Sequence, residues 1–278
     1  MKPAPFDYTR PASVSEAAAA LAAGEGGAKL IAGGQSLGPM LNLRLVQPRL
    51  LVDVAGIEAL HAFEETADAL RIGAGITAAN IEDQRIDTGA VPLLQRVAAG
   101  IAYRAVRNRG TIGGSLCHAD PAADWVNLMP ALGVRYELVG PSGRRTVAAA
   151  DFMTAAFETV LAPDEVLETV VIPKPSAGAR FGHVKIARKT GKFAMAIAVV
   201  VSDPGRGVFR ALIGATHGRP LVVEEAASLL GSDGNTPDTA RIGALLVEAG
   251  ITEPAARQLH LTALRRAAAE AFSKALPS

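Results

Sequence analysis

A chain of 278 residues is long enough for two domains or one large one. Its 49% hydrophobic and 20% charged residues are the profile of a folded protein with a sizeable core. A net charge of +1 and an aromatic share of 4% argue against nucleic acid or an anionic membrane surface as partner. A single cysteine excludes an internal disulfide framework, and an iron–sulfur cluster held by this chain alone, which needs about four thiolates.

The opening MKPAPFDYTRPASV has no basic region followed by an apolar core, so no signal peptide is expected. A helix is predicted over residues 13–24, with Ser13 and Glu16 at capping-box spacing and a glycine stop. A short strand at 29–31 runs into Gly33 and Gly34. Residues 50–54 and 70–73 read as further strands. A helix is predicted over 92–107, with Pro92 in its first turn, and another over 124–132, capped by Asp124. Residues 134–139 and 144–148 flank GPSG, a hairpin signal. PKPSAGAR at 173–180 reads as a linker, which places a domain boundary at about residue 175. Three β-rich segments follow, at 181–188, 194–202 and 208–216. Helical patterns then cover 220–230, 237–249 and 254–276. Strands followed by helices predict a second, α+β domain. The longest apolar run, AMAIAVVV at 194–201, is too short to span a bilayer, and the cytoplasm is the expected compartment.

AGGQSL at 32–37 follows a strand. Paired glycines let a ligand approach the backbone, and adjacent N–H groups can then point at it. Ser36 adds a hydroxyl, so a diphosphate could be held without lysine. The plainer reading is a glycine turn. TIGGSL at 111–116 repeats the chemistry: a hydroxyl, two glycines, a serine. Two such turns can grip a diphosphate from two sides, with Arg107 and Arg109 nearby to offset charge. GAGITA at 73–78 matches a G-x-G-x-x-A dinucleotide pattern, but no acidic residue follows about 20 positions on. It reads instead as a strand-to-helix turn capped by Thr77.

His118, Asp120 and Asp124 fit no zinc spacing, so polar loop roles or contacts to a sugar or ring are favoured over metal ligation. Cys117 beside His118 raises a nucleophile reading, although a lone cysteine after an apolar residue is more often buried. His61, His183, His217 and His260 carry no pattern. HVKIARKTGKF at 183–193 is either a solvated edge strand or a basic arm beside an anionic or electron-rich cofactor.

With these motifs placed, the chain resembles the medium, FAD-binding subunit of the molybdenum hydroxylases, the carbon monoxide dehydrogenase and xanthine dehydrogenase type enzymes. FDYTRPASVSEAAAAL, AGGQSLGPMLNLRL, IGAGIT, RNRGTIGGSLCHADPAAD and KIARKTGKFAMA carry the resemblance, which covers nearly the whole chain. It implies an α+β fold. An FAD-binding domain of PCMH-type (vanillyl-alcohol-oxidase-like) form, residues 1–175, would divide into α/β subdomains at about 1–55 and 56–175. A C-terminal α+β domain, 176–278, would hold a three-stranded antiparallel sheet and helices.

The resemblance also assigns residues. Ala32, Gly33, Gly34, Gln35, Ser36 and Leu37, with Thr111, Gly113, Gly114 and Ser115, would clasp the FAD diphosphate, mainly through backbone N–H groups and the hydroxyls of Ser36 and Thr111. Asp124 matches an acidic contact to the cofactor, and Lys185 a lysine near the flavin ring. Ile101, in the helix before TIGGSL, would be an apolar contact. His118, Asp120 and Phe193 complete the set. Relatives carry His at Gln35 and Asn at Ser115, exchanges that keep a hydrogen-bonding side chain. Some carry Tyr at Phe193, which leaves the identity of the electron acceptor open. FAD would be bound non-covalently, with no catalytic residue for the organic substrate and no metal on this chain. Molybdopterin and [2Fe-2S] clusters would sit on a large and a small partner subunit, in a heterotrimer or its dimer. The alternative is a stand-alone FAD oxidoreductase with its own substrate pocket.

Overall fold

The computed structural model describes residues 2–234 and 236–273. The chain begins with β1 (Asp7–Thr9), α1 (Val14–Ala23), β2 (Ala28–Ile31), α2 (Leu37–Asn42) and β3 (Leu50–Asp53), whose strands form a parallel sheet in the order β1-β3-β2. Ser13 caps α1 as expected, its Oγ accepting from the Glu16 amide at 3.2 Å. The return bond is displaced by one residue, because Glu16 accepts from the amide of Ala12 at 2.9 Å. Parallel sheets place ligand loops at the carboxyl ends of their strands, and β2 runs there directly into AGGQSL.

The second unit adds β4 (Phe63–Glu65), β5 (Ala69–Gly73), α3 (Ala78–Glu82), α4 (Leu93–Gly100), α5 (Arg104–Arg107), α6 (Ile112–His118) and α7 (Asp124–Ala131). After them come the β6 (Arg135–Gly140) and β7 (Gly143–Ala148) hairpin, α8 (Ala149–Phe152), the short β8 (Met153–Ala155) and β9 (Glu158–Thr159) pair, and β10 (Val166–Pro173). An antiparallel sheet of order β4-β5-β10-β6-β7 results. The single helix predicted over 92–107 is two helices. Ile101 is extended at the end of α4, and Ala102 takes a left-handed φ of 42°. Arg107 stabilises the break by donating to the carbonyls of Ile101 and Ala102, at 2.9 and 3.2 Å.

The third unit contains β11 (Arg180–Ile186), β12 (Ala196–Asp203), β13 (Val208–Gly214), β14 (Leu221–Val223), α9 (Ala227–Leu230), α10 (Thr239–Glu248) and α11 (Pro254–Phe272). Its antiparallel sheet has four strands, in the order β11-β12-β13-β14, where three were expected. The segment 220–230 had read as one helix. Its first part instead pairs with Ala211, Leu212 and Ile213 as an edge strand. Residues 274–276 of the last predicted helix lie outside the described residues.

Successive side chains of a strand face opposite ways, and β12 uses both faces. Ile197, Val199 and Val201 join the core shared with the first two units. Ala196, Ala198 and Val200 join a second core with α9, α10 and α11. Burial on both sides explains the unbroken apolar run that the sequence shows here.

Polar contacts tie the third unit to the second. Glu270 of α11 accepts from the backbone N–H of His183 at 2.9 Å and pairs with Arg96 of α4. Asn127 of α7 accepts from the Ala215 amide at 3.2 Å through its side chain. The His183 Nε2 is buried with no hydrogen-bond partner. Burial, reinforced by Arg96 and Lys185 and opposed by Glu270, pushes it down to about 4.

A depressed histidine favours its neutral form in the native state. Its contribution is therefore whole above about pH 6.5 and is lost as pH falls toward the folded value, by up to about 3 kcal/mol. Replacing His183 by Gln is expected to flatten that acid limb. Urea midpoints at about pH 7 and about pH 4.5 check it. An unchanged acid loss in the variant contradicts the assignment.

Candidate cofactor-binding site

The two glycine turns meet. A Cβ built on Gly33 would come 1.9 Å from the Arg109 carbonyl oxygen, and one on Gly114 would stand 4.0 Å from the Ala32 Cβ. Arg109 donates from Nε to the Gly33 carbonyl at 3.3 Å, and Gln35 donates its side-chain amide to the same oxygen at 3.0 Å. Gly34 has φ +70°, a conformation that favours glycine, and it turns the chain from β2 into α2.

The turns differ in what they leave free. Among the described residues, the backbone N–H groups of Gly33, Gly34, Gln35, Ser36 and Leu37 donate to no protein acceptor. Ser36 is exposed at the start of α2, and its hydroxyl makes no cap bond. A run of free amides in a glycine turn is an anion cradle. In the second turn the amides of residues 112–115 are already taken. Ile112 and Gly113 donate to the carbonyls of Ile76 and Ala74, each at 2.9 Å. Gly114 donates to Thr111 Oγ1 at 3.0 Å, and Ser115 to the Thr111 carbonyl at 3.1 Å. Thr111 is thus the buried N-cap of α6; its hydroxyl accepts from Gly114 and still has its own proton to donate. Among the described residues the first turn thus keeps five backbone N–H groups without a protein acceptor, and the second keeps that of Thr111.

GAGITA explains this spending. It holds no ligand loop of its own; its carbonyls receive the second turn, and a bridge joins Thr77 to Thr111. Thr77 also caps α3, accepting from Asn80 at 3.2 Å.

Asp124 is the first residue of α7 and does not cap it; Ala123 occupies the N-cap. Its carboxylate instead pairs with Lys185 of β11 at 2.8 Å. Both side chains are mostly buried, and Lys185 also reaches the Gly100 carbonyl at 3.5 Å. Burial raises the Asp124 carboxyl above its ordinary value, with Lys185 pulling it back. Ile101 sits half-buried beside this pair in sequence terms, one residue beyond Gly100 and outside any helix.

The remaining candidates are more dispersed. His118, at the far end of α6, packs its ring 5.2 Å from that of Phe157. Asp120 accepts from the Ala122 amide at 2.8 Å, closing a local turn. Phe193 is 68% exposed, on the hairpin tip between β11 and β12. Burial pushes the Cys117 thiol up to about 12, so it is no thiolate nucleophile at neutral pH. Among the described residues no group of three or more His, Cys, Asp or Glu side chains is placed to hold a metal. Sequence reasoning missed Glu82, which pairs with Arg107 at 2.7 Å and withdraws that cation from the site. It missed Ala74 and Ile76 as acceptors, because backbone carbonyls leave no residue-type signal.

A parallel sheet thus ends in a free-amide turn that a second glycine turn closes. The description "FAD binding domain in molybdopterin dehydrogenase" matches residues 4–175. The chain is 37% identical over 233 residues to the carbon monoxide dehydrogenase medium chain of Afipia carboxidovorans, covering 83% of this chain and 81% of that one. It is 34% identical over 243 residues to the nicotine 6-hydroxylase medium subunit of Paenarthrobacter nicotinovorans, covering 86% and 85%. The solved carbon monoxide dehydrogenase of Hydrogenophaga pseudoflava matches with a TM-score of 0.86 and 33% identity, covering 98% of this chain and 99% of that one. Quinoline 2-oxidoreductase of Pseudomonas putida 86 matches at 0.83 and 33%, covering 98% of each. The chain belongs to the FAD-binding medium subunits of the molybdenum hydroxylases.

Proposed function

We propose that this chain carries electrons through non-covalently bound FAD, from iron–sulfur clusters on a small partner subunit to an external acceptor. The observation that carries the reading is the set of five free amides at residues 33–37. They would hold the diphosphate, helped by the Ser36 hydroxyl and the Thr111 proton. Gln35 and Arg109 brace the turn through the Gly33 carbonyl. Asp124 and Lys185 would place one negative and one positive hydrogen-bonding group beside the rest of the cofactor, with Ile101 as apolar wall and Phe193 at the exposed rim. His118, Asp120, Gly113 and Ser115 complete the set we propose around it.

When bound, the flavin supplies exchange between one-electron and two-electron carriers. The chain's own work is to bind it, orient it and fix the charge around it; we assign no acid or base for the organic substrate. Molybdopterin would reside on a large subunit, and one cysteine leaves the clusters to a small one. We propose a heterotrimer or its dimer, in the cytoplasm. Among the described residues no helix is long and apolar enough to cross a membrane. We propose a domain division at about residue 175, with subdomains at 1–55 and 56–175; the family match, which ends at residue 175, supports the first of these boundaries only.

Acid precipitation of the purified chain is expected to release intact FAD into the supernatant; flavin retained in the pellet contradicts non-covalent binding. For the electron path, the chain is mixed anaerobically with substrate and the partner subunits. Flavin bleaching is expected only when the iron–sulfur subunit is present. Equal bleaching of the isolated chain would replace this reading by a stand-alone oxidoreductase.

A further inference from the structure

The hairpin tip between β11 and β12 carries Arg188, Lys189 and Lys192, all exposed. None of the three makes an ion pair among the described residues. Neighbouring acids are committed elsewhere: Asp83 to Arg104 at 2.6 Å, Glu82 to Arg104 and Arg107, and Asp124 to Lys185. In a chain of net charge +1, three uncompensated cations on one turn are a local concentration of charge.

The tip is also held in place. A Cβ built on Gly191 would stand 2.5 Å from the Ala102 carbonyl, so the turn lies against the break between α4 and α5. The Lys192 amide donates to the Lys189 carbonyl at 3.1 Å. Lys192 Nζ lies 5.8 Å from the centre of the exposed Tyr103 ring, within cation–π range. At its base, β11 delivers Lys185 to Asp124. The tip is therefore an ordered positive rim on the strand that supplies the cofactor site with its lysine.

We infer that this rim is the approach surface for a small anionic electron acceptor. The inference rests on the electron-carrier reading above and names the charge of the molecule that takes the electrons. Surface potential of one sign raises the encounter rate of an opposite charge by about 10–1000-fold, and salt removes the gain because screening acts over about 10 Å at 0.1 M. Three cations on one turn match a small anion. A stable subunit contact needs about 800 Å² on each side, so the tip alone is not expected to make one.

The probes are ferricyanide and hexaammineruthenium(III), an anion and a cation that each accept one electron. The flavin-loaded full-length chain is reduced anaerobically and mixed with either. Two ferricyanide ions take the two electrons of the reduced cofactor, whose protons pass to solvent, and leave as ferrocyanide. The variant Arg188→Glu/Lys189→Glu/Lys192→Glu is expected to slow ferricyanide about tenfold or more at low salt and to speed the cationic probe. Both effects should shrink as salt is raised.

A readout without turnover uses hexacyanochromate(III), a paramagnetic anion. It is expected to broaden the amide resonances of residues 188–193 in the starting chain and not in the variant. Equal slowing of both acceptors, or broadening elsewhere only, overturns the inference. So does a variant that loses only its hold on the iron–sulfur subunit, which would make the rim a subunit contact. A starting chain that retains no flavin refutes the underlying FAD reading instead, and the chromium map still tests the rim.

Discussion

Gly33→Val is expected to empty the cofactor site. The new Cβ would lie 1.9 Å from the Arg109 carbonyl oxygen and 2.6 Å from its carbon, both backbone atoms of the facing turn. Neither can swing aside as a flexible side chain would. The two turns must separate, and with them the run of free amides loses its direction. Overpacking of this kind costs about 3 kcal/mol. Flavin per protein should fall to about a tenth or less, since each 1.4 kcal/mol lost from binding is tenfold in affinity.

Gly38→Ala is the control. It lies in α2 with nothing within 4 Å of its built Cβ. It should keep its flavin and gain about 1 kcal/mol from helix propensity. Flavin absorbance and urea midpoints on the two variants decide the matter. A folded Gly33→Val with full flavin would mean that the cradle is elsewhere.

Breaking the Asp124–Lys185 pair is the second large effect. Lys185→Met leaves a buried carboxylate without its partner, and Asp124→Ala leaves a buried ammonium. Either should cost about 3 kcal/mol or more, because an uncompensated buried charge is worse than none. The double variant Asp124→Leu/Lys185→Met should recover most of the stability and little of the flavin, if both groups face the cofactor. Recovery of flavin along with stability would reduce the pair to a structural lock between α7 and β11.

The pH dependence has a definite sign. Burial raises Asp124 in the folded chain. Its contribution is therefore present below the unfolded value and lost as pH rises through the folded one. Removing Lys185 removes the group that opposes this rise. The destabilisation of Lys185→Met should accordingly shrink toward acid pH, where Asp124 takes up a proton. Unfolding curves across the acid range would show it.

The sequence by itself determined what depends on near neighbours. Ser13 and Glu16 started α1, Gly34 made the turn after β2, and the apolar run through Val199 made β12. AGGQSL was readable as a glycine turn able to present adjacent amides, because a missing Cβ is a local property. The family motifs extended that reading to FAD and to partner subunits.

Tertiary structure decided what depends on partners far along the chain. Asp124 could have capped its helix, but Lys185, 61 residues away, claimed its carboxylate. The second glycine turn looked equivalent to the first, yet the carbonyls of Ala74 and Ile76 had taken its amides. The pattern over 92–107 suited one helix until Arg107 bound the carbonyls at the break. Leu221, Val222 and Val223 looked helical and became a fourth strand because β13 offered an open edge. In each case a hydrogen-bonding group had two satisfactory partners within reach. Local pattern names the nearer one, and only packing brings up the other.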